Sequence, residues 1–155
     1  MVITEEVLKD VSQTATKMYL MVERFHTDLC NMLIREKQYL LAVPNLLLSQ
    51  WFTFCKDFPY QMDSEKYEVV ARPKIIIEQG FADCKKKSIL MGSFLRLNQT
   101  PYRFIACSER RDQELHHVFC QGYLNKSWKH LDCTYSNYRM YSLKNPVTFC
   151  EVLEP

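Results

Sequence analysis

The dipeptide Asn125-Lys126, standing between two runs of alternating side chains, constrains the folding of this chain more than any other part of it. Residues 116–124 and 128–134 read as strands, and a two-residue turn between them sets an antiparallel register. Leu124 then faces Ser127, Tyr123 faces Trp128, Gln121 faces His130, Phe119 faces Asp132 and His117 faces Thr134. Side chains alternate between the faces of a strand. His117 and Asp132 therefore share a face as diagonal neighbours, roughly 7–8 Å apart at the backbone. His116 projects from the other face with Val118, Cys120 and Leu131. A three-residue turn would slip the register by one and separate His117 from Asp132.

Upstream, Tyr102 to Cys107 reads as a further strand and Ser108 to Glu114 as a charged loop. Cys84 to Leu97 reads as a buried helix, with Ile89, Leu90, Gly92, Ser93, Phe94 and Leu97 on an apolar or small face. Gly92 admits a close neighbour, and Asn98-Gln99-Thr100-Pro101 ends the helix. Before it, Ile75, Ile76 and Ile77 form a short buried element that leads into a turn at Gly80. Lys56 to Glu68, with Pro59 and Asp63, reads as a loop, and Leu46 to Cys55 as an apolar helix that starts after Pro44. The first third is helical in pattern: Val11, Ala15, Met18, Val22, Phe25, Leu29 and Met32 step by fours and threes along one face. Thr4 with Glu5 and Glu6 supplies a capping signal. The stripe faces the core or, because it keeps a heptad spacing, a second protein chain. Lys17 to Val22 is also compatible with a strand. Helices first and strands afterwards describe an α+β domain.

At 155 residues the chain fits one domain with one core. With 47% hydrophobic and 25% charged residues it has the profile of a soluble globular protein. A net charge of +2 gives no electrostatic reason to expect nucleic acid, and Lys85-Lys86-Lys87 reads as a solvated patch at a helix start. The seven cysteines are odd in number, and the N-terminal MVITEEVLKD is acidic and amphipathic rather than a basic stretch before an apolar run. These features predict mostly buried free thiols in a reducing, cytoplasmic setting. No run reaches the roughly 18 apolar residues that span a bilayer, so no membrane partner is expected.

Cys84 follows Gly80-Phe81-Ala82-Asp83 and stands in the first turn of its helix. Helix N-termini carry partial positive charge and free N–H groups, which favour a thiolate and can hold the oxyanion formed when it attacks a carbonyl. His117 is the candidate base. Asp132, on the same face, is the candidate acceptor for the second imidazole N–H, fixing the tautomer and stabilising imidazolium. His130 also lies on that face and is taken as a flanking polar residue. Gln79, Gln61 and Trp51 are candidate oxyanion donors. A zinc site built from His117, Cys120 and either Cys84 or Cys133 is the competing chemistry, but His117 and Cys120 point to opposite strand faces and paired ligand spacing is absent.

The run Gly80-Phe81-Ala82-Asp83-Cys84-Lys85-Lys86-Lys87-Ser88-Ile89-Leu90 resembles the cysteine motif of the transglutaminase-like superfamily. Leu95-Arg96 and Pro101-Tyr102-Arg103-Phe104, then His117-Val118-Phe119, then Trp128-Lys129-His130-Leu131-Asp132-Cys133-Thr134-Tyr135, resemble its later segments in the family's order. Phe58-Pro59-Tyr60 and Asp63 echo the approach to that core. Ala82 stands in place of a common glycine, Gln99 where a glycine usually ends the helix, and Cys133 at a usual small or proline position. The resemblance implies a papain-like core, in which the nucleophile-bearing helix packs on an antiparallel sheet, with a helical N-terminal part. It implies Cys84 as nucleophile, His117 as general base and acid, and Asp132 as orienting group, with no metal or organic cofactor. The expected division is 1–55 helical part, 56–138 transglutaminase-like core and 139–155 C-terminal extension of a single domain.

The activity implied is acyl transfer on protein or peptide amides: hydrolysis if water accepts the acyl group, cross-linking if a lysine amine does. A non-catalytic binding or assembly module that keeps the triad is the alternative, and the N-terminal stripe would suit such self-association. Stand-alone copies of this size resemble small proteins of bacterial viruses, which would put the chain in host cytoplasm or virion.

Overall fold

A computed structural model describes residues 6–8, 11–62, 68–108, 115–143 and 149–155. Strand β1 (Glu6–Leu8) precedes helix α1 (Val11–Phe25) and a 3₁₀ turn (His26–Asn31). A hairpin of β2 (Leu33–Glu36) and β3 (Tyr39–Ala42), a short 3₁₀ turn carrying Pro44, and α2 (Leu48–Asp57) follow. Then come β4 (Glu68–Val70), α3 (Pro73–Gln79) and α4 (Cys84–Leu97). The chain closes with β5 (Tyr102–Ser108), β6 (His117–Leu124), β7 (Ser127–Leu131) and β8 (Phe149–Leu153). The α+β arrangement is thus a helical layer on a four-stranded antiparallel sheet of order β7-β6-β5-β8, with two small two-stranded ribbons, β1-β4 and β2-β3.

Helix α4 is the centre of the molecule, and every residue from Cys84 to Leu95 is buried. It packs on β6 on one side and on α1, α2 and α3 on the other. Gly92 makes the sheet-side approach possible, because a Cβ there would stand 3.2 Å from both Phe104 Cζ and Tyr102 Cδ2. Ala15, Met18, Val22 and Leu29 of the N-terminal stripe all point into this core. Tyr19 fastens the helical layer to the sheet: its hydroxyl donates to the Leu153 carbonyl at 2.7 Å and accepts from Phe104 N–H at 2.9 Å. Trp51, fully buried, stacks on Phe94 and donates its indole N–H to the Leu90 carbonyl at 3.1 Å.

The β6–β7 register pairs Leu124 with Ser127, Tyr123 with Trp128 and Gln121 with His130, as the two-residue turn requires. Asn125 and Lys126 both adopt positive φ, 51° and 67°, the conformation of a type I′ turn. The ladder stops at Leu131, so the expected pairings of Phe119 with Asp132 and His117 with Thr134 lie beyond it.

Several expectations are corrected. The first third is not wholly helical, since residues 33–42 turn back as a hairpin. Its register leaves Leu33, Tyr39 and Leu40 exposed, so apolar content there does not mark a core face. Glu6 stands in β1 and α1 begins at Val11, later than the capping signal implies; Thr4 and Glu5 lie outside the described residues, as do Asp63 and 109–114. Residues 139–155, read as an extension, include β8, which pairs with central strand β5.

Lys85, Lys86 and Lys87 form no solvated patch, because all three are buried under the layers that flank α4. Lys85 forms an ion pair with Asp83, and Lys87 Nζ donates to the Lys56 carbonyl at the end of α2. The thiols are mostly free and buried at Cys55, Cys84, Cys120 and Cys133; Cys30 is exposed, and Cys107 is joined to Cys150 across β5 and β8.

Candidate active site

Gly80 ends α3 with a φ of 81°, the left-handed conformation that turns the chain toward α4. Two backbone bonds strap that turn to the segment after α2: Ala82 N–H to Pro59 O at 2.9 Å and Gln61 N–H to Ala82 O at 3.2 Å. Asp83 caps α4, its Oδ1 accepting the Lys86 N–H at 2.9 Å while its other oxygen takes the Lys85 ammonium. Cys84 is therefore the first residue of α4, where backbone N–H groups lack helical acceptors.

His117 opens β6, beside Cys107 of β5. Its Nε2 stands 2.7 Å from Asp132 Oδ2, and the Cys84 side chain is close enough to act on the ring by hydrogen bonding and charge. Just past the end of β7, Asp132 is buried and its second oxygen is held by its own turn. Oδ1 accepts from Thr134 N–H at 3.2 Å and from Thr134 Oγ1 at 2.6 Å. With one carboxylate oxygen anchored by Thr134, the other has a fixed aim at the imidazole. Burial opposes the charged imidazole. The hydrogen bonds to Asp132 and Cys84, with the electrostatic effect of both groups, outweigh burial and raise His117 to about 10.

Ser88 links the two arms of the site. One turn along α4 from Cys84, its buried hydroxyl lies 2.7 Å from the Cys84 carbonyl and 3.3 Å from the Val118 carbonyl, next to His117. It was not singled out in the sequence; its spacing of four from Cys84, on the same helix face, is the signal that could have found it. Thr134 was legible as the third residue of an Asp-x-Thr turn.

His130 belongs to a neighbouring network. Arg103 Nε donates to Gln121 Oε1 at 2.8 Å, which leaves the Gln121 amide N–H to face His130 Nδ1 at 3.0 Å. That nitrogen is thus the acceptor, and burial lowers His130 against the opposing charge of Asp132. His130 is a flanking residue on the outer sheet face, with its ring on Phe119.

Among the candidate oxyanion donors, Trp51 is removed by its commitment to Leu90 in the core. Gln79 lies exposed at the end of α3, and Gln61 is strapped beside the cysteine turn. Val118 and Cys120 face the main core, whereas Phe119 faces the outer cluster.

Two cavities flank the site. A narrow one of about 30 Å³ touches Cys84 directly and is walled by Thr14, Lys85, His116, Val118 and Leu153. A larger one of about 650 Å³ touches none of Cys84, His117 and Asp132. It shares Thr134 with the aspartate turn and Tyr60 with the cysteine turn. Burial raises the Tyr60 phenol, and its hydrogen bond to Tyr135 and the nearby Cys84 raise it further.

No family model matches the chain, and no curated protein matches it significantly. A solved structure of a provisionally assigned cysteine protease from Cytophaga hutchinsonii aligns with 81% of this chain at a TM-score of 0.44 and 13% identity. The chain spans 39% of the length of that protein, and a likeness at this level carries no weight for fold or activity. No helix among the described residues is long and apolar enough to cross a membrane.

Proposed function

We propose that this chain is a thiol hydrolase of papain-like, transglutaminase-like architecture that cleaves amides in proteins or peptides through a thioester on Cys84. The reading rests on one observation above all: a single imidazole lies between a turn-anchored carboxylate and a thiol at the head of a buried helix. In this mechanism the Cys84 thiolate, formed by proton transfer to His117, adds to the amide carbon. The oxyanion is held by N–H groups of the first turn of α4. Imidazolium then gives its proton to the departing amine as the C–N bond breaks, leaving the thioester. Water, deprotonated by His117, attacks the thioester carbon, and the Cys84 sulfur leaves with release of a carboxylate. Asp132 keeps the imidazole oriented throughout.

Water rather than lysine is taken as the acceptor because it needs no second binding site beside the thioester.

Thiol selectivity is the direct test. In a Cys30→Ser background, which removes the exposed competitor, iodoacetamide at pH 6 should label Cys84 well ahead of buried Cys55, Cys120 and Cys133. Intact-mass analysis after incubating wild type and Cys84→Ala with cell lysate then reads cleaved or deamidated products. Identical product profiles from the two proteins would overturn the enzyme, and equal labelling of all the thiols would overturn the activated cysteine.

A further inference from the structure

We propose that the larger cavity is a subsite for a carboxylate of the substrate, recognised by the buried ammonium of Lys87. This rests on the hydrolase reading above and names the substrate chemistry of that same site.

The cavity adjoins both arms of the site, through Tyr60 beside the cysteine turn and through Thr134, which holds Asp132. An acyl group on Cys84 therefore has its flanking chain within reach of it. Lys87 lines the cavity although the residue is only 1% exposed. Its Nζ donates to the Lys56 carbonyl at 3.2 Å, and Lys56 lines the same cavity. An ammonium has three protons to donate, so one acceptor leaves capacity for an incoming anion. Lys56 and Lys87 outnumber the one acid on the wall, Asp57, and Ser136 and Asn137 add polar groups along the rim. Burial disfavours the charged form of Lys87 and lowers it, opposed only in part by Cys133, Cys55, Asp57 and Asp132 nearby. A substrate carboxylate would add the close anionic partner that a desolvated cation lacks. Tyr60, Tyr135 and Tyr138 form the opposing wall, with ring centroids 4.8 and 5.2 Å apart along the row, and cover the aliphatic part of such a ligand.

The carboxylate could belong to an acidic side chain or to a peptide C-terminus, and the test separates them. Short peptides bearing a thiol-reactive electrophile are made in four forms: flanking glutamate, flanking glutamine, free C-terminus and amidated C-terminus. Cys84 modification is followed by intact mass in the Cys30→Ser protein. One acidic form should react about tenfold or more faster than its neutral isostere, as one charge-assisted hydrogen-bonded pair allows. In Lys87→Met that ratio should fall to about one. Because Lys87 is buried and its replacement can impair folding, protection is measured without mutation as well. N-acetylglutamate, or the corresponding C-terminal carboxylate, should slow Cys84 alkylation by iodoacetamide where its amide does not.

Equal rates for acidic and neutral forms, with Cys84 still selectively reactive, would overturn the subsite and leave the hydrolase standing. A carboxylate preference that survives in folded Lys87→Met would reduce Lys87 to a cap on α2. Failure of Cys84 to react with every probe would overturn both readings.

Discussion

His117 is the residue on which the pH behaviour of the site turns. Its value of about 10 in the folded protein lies above the ordinary 6.5, so its contribution to stability is fully present below pH 6.5 and is lost as pH rises through 10. Denaturant unfolding should show stability falling between pH 7 and 10, and Asp132→Asn should flatten that fall. On the proposed mechanism the alkaline limb of activity should fall near 10 as well. A limb near 6.5 would mean the imidazolium is not held by its carboxylate. On the proposed mechanism Ser88 acts through Cys84 as a positioning residue: Ser88→Ala should lower kcat about tenfold while changing KM little, and Ser88→Thr should restore part of the loss. A lowered melting temperature with unchanged kcat would make Ser88 merely structural. These residues differed in legibility for physical reasons. Cys84, His117 and Asp132 were named because helix ends and strand alternation place side chains by counting. Ser88 was not, because two long-range hydrogen bonds give it its role. Lys87 was misread because three adjacent lysines signal solvent unless the helix bearing them is covered on every side.

At the scale of elements, the hairpin carries the site. Lys126 holds a φ of 67°, costly for a residue with a Cβ and free for glycine. Lys126→Gly at this exposed position should stabilise the protein by about 0.5–1 kcal/mol in chemical denaturation. Inserting one glycine after Asn125 should do the opposite to the site. It slips one strand against the other and sends Asp132 to the far face; selective labelling of Cys84 should disappear even where circular dichroism shows a folded chain. Retained selectivity would break the link between register and chemistry. The same counting that fixed this hairpin failed for β2 and β3, where the stripe runs unbroken to Met32 and no glycine or proline announces the turn at Lys37. Strand β8 was invisible for a different reason: a five-residue run has no periodicity of its own to show which strand will accept it.

For the whole molecule, α4 unites what the sequence divided. The N-terminal helix, the site-bearing sheet and the last strand share one core around it, and Tyr19 ties all three together. The bond between Cys107 and Cys150 secures the edge of that assembly and closes a loop of 43 residues. Cys150→Ser should therefore cost about 2–4 kcal/mol of stability, read as a lower denaturation midpoint that matches wild type in strong reductant. Equal midpoints without reductant would show the pair contributes nothing.

That cross-strand bond also bears on how the protein is made. Cys107 meets Cys150 only after the last strand has docked, whereas Cys84 and its neighbours are all synthesised earlier. On the proposed mechanism, a premature join that captures Cys84 would silence it, and a chain joined in that way would have to exchange its sulfurs before acting. Air oxidation of unfolded chains should therefore yield a soluble but inert fraction that a brief thiol exchange revives.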